Sequence, residues 1–229
     1  MLDRHHPTRP NLAIQTALLG ALASACACGA RADIILDQPD TGLTGYASQE
    51  FTDLPDYTCS VFDDFTLTQT YNLTALTVYG ENSIGGGDMH DVDVRLRIFT
   101  EANLGGTALA TVSGTDVDGV LHWDLTGITL GAGTYWVAAQ VVRPYNPGGQ
   151  WYWRNSATMN GAHAMWHNPG GAFGLGTDPI STELLGSQYH DMAMTLEGVV
   201  PAPGALAVMA MGALARGFTR RDRSAPRSR

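Results

Sequence analysis

Trp151 and Trp153 stand two residues apart in the run Gln150 to Asn155, so on an extended strand they share a face. With Tyr145, Trp166 and Phe173 nearby in sequence, they are candidates for an aromatic platform on which pyranose rings stack through apolar and C–H to π contact. The same rings would equally fill a core, because five tryptophans in a β domain need burial and one strand does not reveal its wet face. Asp88, Asp91 and Asp93 follow the turn Gly85-Gly86-Gly87, and Asp116 and Asp118 precede Gly119. Each group offers oxygens to Ca²⁺, a hard cation that takes about six to eight of them, although neither has the spacing of an EF-hand loop. Aspartates at turns also serve local backbone amides, which needs no metal and no cofactor. His163 and His167 have a metal spacing only on a helix, and Gly161, Asn168, Pro169 and Gly170 predict a solvated loop there, with His190 beside Asp191 further along. Neither a nucleophile elbow nor a zinc-binding helix occurs, so the expectation is that the chain is not an enzyme. Paired carboxylates across a cleft stay open as an alternative in so acidic a sequence.

The charge is unevenly placed. The chain of 229 residues has a net charge of −9, no lysine and 13 arginines. Between Asp33 and Val200 only Arg95, Arg97, Arg143 and Arg154 face 20 acidic residues, a balance of −16. Such a surface repels phosphate backbones and excludes nucleic acid as an expected partner. Cys59 is the only cysteine of that segment, so no internal disulfide is expected, and beside Val61 and Phe62 it reads as a small buried apolar residue.

Short strands must position these residues. Alternation is clearest over Asp91 to Thr100, where Val92, Val94, Leu96 and Ile98 point one way and Asp93, Arg95 and Arg97 the other. Similar runs are Ser60 to Thr68, Leu73 to Tyr79, Leu109 to Ser113, Val120 to Leu125, Thr134 to Val142, Gln150 to Asn155 and His190 to Glu197. Gly105-Gly106, Asp118-Gly119, Gly131-Ala132-Gly133 and Pro147-Gly148-Gly149 separate them as turns. The expected fold is all-β, an antiparallel β-sandwich of jelly-roll type.

The two ends read as addresses. Arg4 and Arg9, the apolar stretch Leu12 to Ala27 and Ala30-Arg31-Ala32 before Asp33 form a signal peptide over residues 1–32, cut by signal peptidase. A lipoprotein using Cys26 is the alternative, against which Ala23 stands where leucine is preferred. Residues 33–199 form the passenger domain, and 200–229 a tail: Pro201-Ala202-Pro203, an uncharged run from Gly204 to Ala215, then Arg216, Arg220, Arg221 and Arg223. As a helix, Pro201 to Thr219 would rise about 28 Å, enough to just span a hydrocarbon core of about 30 Å with the arginines on the cytoplasmic side.

On these residues the tail resembles the PEP-CTERM sorting signal of exopolysaccharide-producing Gram-negative bacteria. Pro201 and Pro203 match its proline motif, Ala202 replaces the usual glutamate, Arg220, Arg221 and Arg223 match its basic cluster, and Arg216 interrupts its hydrophobic helix. The resemblance covers about the last thirty residues. It implies an exosortase as partner, transient membrane anchorage through the helix before processing, and delivery to the cell surface or extracellular matrix, where exopolysaccharide is a candidate partner. The layout of Phe62-Asp63-Asp64-Phe65, Gly133-Thr134-Tyr135-Trp136-Val137, Trp151-Tyr152-Trp153 and Asp191-Met192-Ala193 is also similar to sandwich passengers of that group, which implies no defined activity. The expected function is a structural or adhesion module. The alternative is a carbohydrate-binding module built on the aromatic platform.

Overall fold

The computed structural model describes residues 31–43, 45–83, 93–186, 189 and 191–201. Contacts divide the chain after Arg31, and every described strand belongs to the second unit, Ala32–Arg229. The signal peptide, the tail from Ala202 onward with Pro203, Arg220, Arg221 and Arg223, and the candidate residues Asp88, Asp91 and His190 lie outside the described residues.

The strands are β1 (Asp33–Gln38), β2 (Tyr46–Ala47), β3 (Gln49–Phe51), β4 (Ser60–Leu67), β5 (Tyr71–Asn82), β6 (Asp93–Phe99), β7 (Ala110–Val117) and β8 (Val120–Asp124). They continue as β9 (Thr129–Leu130), β10 (Gly133–Arg143), β11 (Trp151–Trp153), β12 (Asn155–Ser156), β13 (Met165–His167), β14 (Ile180–Ser181), β15 (Asp191–Met192) and β16 (Met194–Val199). Two short 3₁₀ turns, Pro55–Tyr57 and Thr182–Leu185, are the helical elements among the described residues.

Hydrogen bonds run along one curled sheet in the order β1-β16-β5-β8-β7-β6-β10-β4-β13-β14. Pairing is antiparallel throughout this path, and β3 joins β10 in parallel. The curl is made by β7. Its first half pairs with β6, Val94 opposite Gly114, and its second half with β8, Thr115 opposite His122. A side chain at Gly114 would stand 2.5 Å from the Trp123 ring, so glycine is what lets the strand turn over that indole. The fold is all-β and mostly antiparallel as expected, and its ladder is continuous through this shared strand.

Inside the curl, Leu73, Leu76 and Val78 of β5 and Leu196 of β16 meet Val61 and Phe65 of β4, Leu96 and Ile98 of β6 and Val141 of β10. Alternation puts Leu76 with Val78, Val61 with Phe65 and Leu96 with Ile98 on the core face, Leu73 joins them across an irregularity in the β5–β16 register, and their burial is the main apolar stabilisation of the domain. A smaller cluster, Phe62, Phe99 and Ala138 with Leu104 and Ala108, covers the opposite face of β4, β6 and β10. That cover explains why Gln140 is fully buried on the outward side of β10, donating to the Cys59 carbonyl at 2.7 Å and accepting from Arg97. The first and last described strands pair with each other: β1 lies antiparallel to β16, with Asp33 opposite Gly198 and a bulge between Ile34 and Leu36.

Candidate functional site

The tryptophan platform is corrected by burial. Trp151 and Trp153 do share a face of β11, and that face is the core: both are 0% exposed, and Trp166 is 5% exposed. Each indole N–H is satisfied inside, Trp151 by the Gly119 carbonyl at 3.2 Å, Trp153 by Ala193 at 2.9 Å and Trp166 by Ala47 at 3.0 Å. Gly80 on the neighbouring strand makes the room, since a Cβ there would lie 2.2 Å from the Trp151 ring. Of the rings named with that platform, Tyr145 and Phe173 are exposed.

Among the described turn aspartates, Asp116 serves the backbone. Asp118 and Gly119, with φ of 53° and 86°, form a two-residue turn between Val117 and Val120, the conformation that suits the twist of a hairpin. Asp116 Oδ1 accepts the Gly119 amide at 3.0 Å, and Asp93 opens β6 exposed, opposite Val142. Among the described residues no three His, Cys, Asp or Glu side chains converge to hold a metal ion. His167 departs from the solvated loop expected of it. It ends strand β13, buried, where Nδ1 accepts the Leu104 amide at 3.1 Å and Nε2 faces the Thr177 carbonyl at 2.9 Å. That pairing requires the neutral ring, and burial lowers its pKa further. His163 stands apart from it, 3.7 Å from Glu183.

Two arrangements were not foreseen. The first is a carboxylate pair within the curl. Asp63 lies on β4 in phase with Val61 and Phe65, hence on the core face, and meets Asp191 of β15; both are fully buried. The Gln38 amide of β1 reaches both, Nε2 to Asp63 Oδ2 and to Asp191 Oδ2 at 3.3 Å each. Backbone amides complete the set: Met192 to Asp63 Oδ2 at 2.7 Å, Asp64 to Asp63 Oδ1 at 3.0 Å and Asn160 to Asp191 Oδ2 at 2.5 Å. Burial, then the neighbouring Asp191 charge, raises the Asp63 pKa well above the carboxylate range. The chemistry available here is to hold a proton and to tie β1, β4 and β15 together. On the far face of β4, Asp64 Oδ1 takes the Ala162 amide at 2.8 Å.

The second is a groove where three loops meet beyond the ends of β3, β10 and β13. It is a cavity of about 290 Å³ lined by Phe51, Leu54, Tyr57, Tyr145, Gln150 and Phe173. Three polar anchors fix the loops. Asp53 accepts the amides of Tyr145 at 2.8 Å and Asn146 at 3.3 Å, and the Tyr145 amide chiefly keeps its pKa below the ordinary value. Buried Asn168 donates to the carbonyls of Asp56 and Thr58 at 2.8 Å each and accepts the Phe173 amide at 3.2 Å. Gln49 takes the Trp151 amide on Oε1 at 2.9 Å while its Nε2 donates to Gly149 at 3.2 Å.

Each exposed ring of the groove is braced by another. Tyr145 leans on buried Phe51, centroids 6.2 Å apart. Tyr57 meets Phe173 edge to face at 5.2 Å, and Phe173 meets buried Trp166 edge to face at 5.3 Å. Asp53 and Asp56 stand exposed beside Tyr145 and Tyr57, while the four arginines of the domain are engaged elsewhere: Arg95 with Glu50, Arg97 with Gln140, Arg154 with Asp40 and Glu81, and Arg143 under the field of Asp116.

No helix among the described residues is long and apolar enough to cross a membrane. Neither the protein-family models nor the curated proteins compared with this chain give a match.

Proposed function

We propose that this chain is an exported, non-catalytic structural or adhesion module of the cell surface or extracellular matrix. In this reading the curled sheet is a jelly-roll-like sandwich displayed between a signal peptide and a PEP-CTERM-like sorting tail. The observation that supports it is where the first and last described strands lie relative to the two segments. Strand β1 begins at Asp33, immediately after Ala30-Arg31-Ala32, and β16 ends at Val199, immediately before the proline motif. The strands nearest in sequence to the two segments read as addresses, β1 and β16, are paired neighbours in the sheet. The paired carboxylates Asp63 and Asp191 lie sealed in the core, where substrate has no access.

Fractionation of cells carrying the native chain, with intact-mass analysis of the product, tests this. The expected form begins at Asp33, is shortened near Pro201 and is recovered outside the cytoplasm. A full-length cytoplasmic chain would overturn the proposal, and steady turnover of a chromogenic glycoside or ester would overturn its non-catalytic part.

A further inference from the structure

We infer that the groove between Tyr57, Tyr145 and Phe173 binds an uncharged polysaccharide, stacking sugar rings on the exposed aromatic faces. This deepens the adhesion proposal by naming what the module holds, and it rests on that proposal for the setting in which polysaccharide is met. The groove is made by loops, yet it is preformed, because Asp53 and Asn168 tie the loop after β3 to those after β10 and β13. A prearranged site loses little freedom on binding, which is what affinity for a weakly interacting ligand requires.

The side chains combine two chemistries. Tyr57 is 40% exposed, Tyr145 49% and Phe173 36%, an unusual concentration of ring surface at one spot on an otherwise acidic domain. Tyr57 and Tyr145 each carry a phenol hydroxyl at the ring tip, and Gln150 lines the same cavity. A pyranose has the complementary build, a C–H face that stacks on a ring and a rim of hydroxyls that exchanges hydrogen bonds. Size and charge narrow the occupant further. A volume of about 290 Å³ lies at the low end of ligand clefts, room for roughly one or two sugar residues of a chain passing through. With carboxylates at Asp53 and Asp56 and no arginine among its lining residues, the groove repels uronic acids and sulfated sugars.

Native gels cast with β-glucan, galactomannan, dextran or polygalacturonate, run with the full chain in mild detergent, test the inference. Retarded migration is expected in at least one of the three neutral polymers and in none of the polyanion. Tyr57→Ala and Tyr145→Ala should each weaken retardation about tenfold, the ring being lost, while Tyr145→Phe retains most of it. An unchanged near-ultraviolet spectrum from buried Trp151 and Trp153 verifies that the variants are folded. Because Phe173 packs on Trp166, the binding polymer should also shift tryptophan emission, and Trp166→Phe should abolish the shift. Free migration in all three neutral gels, retardation confined to polygalacturonate, or retardation indifferent to both tyrosine changes would each overturn it. None of these would touch the surface location, which the fractionation tests separately.

Discussion

A fully buried carboxylate is costly unless it is neutralised, and Asp63 has two amides, one side-chain amide and a second carboxylate for company. Its raised pKa means that the folded chain keeps a proton which the unfolded chain releases near the ordinary value of 3.8. Between that value and the raised one the native state binds more protons, so stability falls as pH rises through the window. His167 works in the opposite sense: its pKa lies below the ordinary 6.5, so stability is lost as pH falls below 6.5 toward that lowered value. Thermal melts of the Asp63→Asn variant should show a smaller loss between pH 5 and pH 8 than the native chain does. An identical pH profile would mean that Asp63 is ionised in the fold. Cys59 offers a second check. Burial pushes its thiol up to about 12, so iodoacetamide followed by peptide mapping should leave Cys59 unmodified until denaturant is added.

At the scale of elements, the alternating strands were legible and the irregular ones were not. Val94, Leu96 and Ile98 on β6 and Leu121 and Trp123 on β8 are buried as their spacing demands, and Asp118-Gly119 turns where the dipeptide says it must. Strand β1 escaped notice because Ile34, Ile35 and Leu36 run together without alternation, and the bulge among them leaves Ile34 exposed. The two- and three-residue strands β2, β3, β13 and β14 are too short to carry a period at all. The candidate site was legible only in part. Spacing placed Trp151 and Trp153 on one face but could not say that Gly80, far away in sequence, leaves a hollow for the first of them. The phase of Asp63 with Val61 and Phe65 was a usable sign of a buried acid, whereas the meeting of Tyr57, Tyr145 and Phe173 depends on three loops and has no local signature. The glycine positions give a direct test. Gly80→Ala forces a methyl group into the Trp151 ring and should cost about 1–3 kcal/mol in denaturant melts, as overpacking does. Gly127→Ala, where nothing lies within 4 Å, should cost only the strain of its positive φ, about 1 kcal/mol.

For the whole molecule, the buried and exposed aromatics divide stability from the proposed recognition. Trp151→Ala empties the largest kind of core site and should destabilise by about 3–5 kcal/mol. Tyr145→Ala, at an exposed position, should stay within about 0.5 kcal/mol of the native chain while removing the proposed stacking surface. Equal destabilisation by the two changes would erase that division. The acidic excess belongs to this scale too, since arginines paired within the fold leave the outer surface to the carboxylates, a field that repels anions.

The position of β16 has a mechanical consequence. It is the last strand before residue 200, and it is hydrogen-bonded on one side to β1 and on the other to β5. If the domain is tethered through its C-terminal segment and pulled along the axis of that strand, the load arrives on a strand flanked by two ladders. Rupture then requires shearing rows of bonds on both sides together rather than peeling them one at a time. A sheet wired in this way would resist drag at such an attachment, and a ligand held in the groove as proposed would load loops outside that ladder.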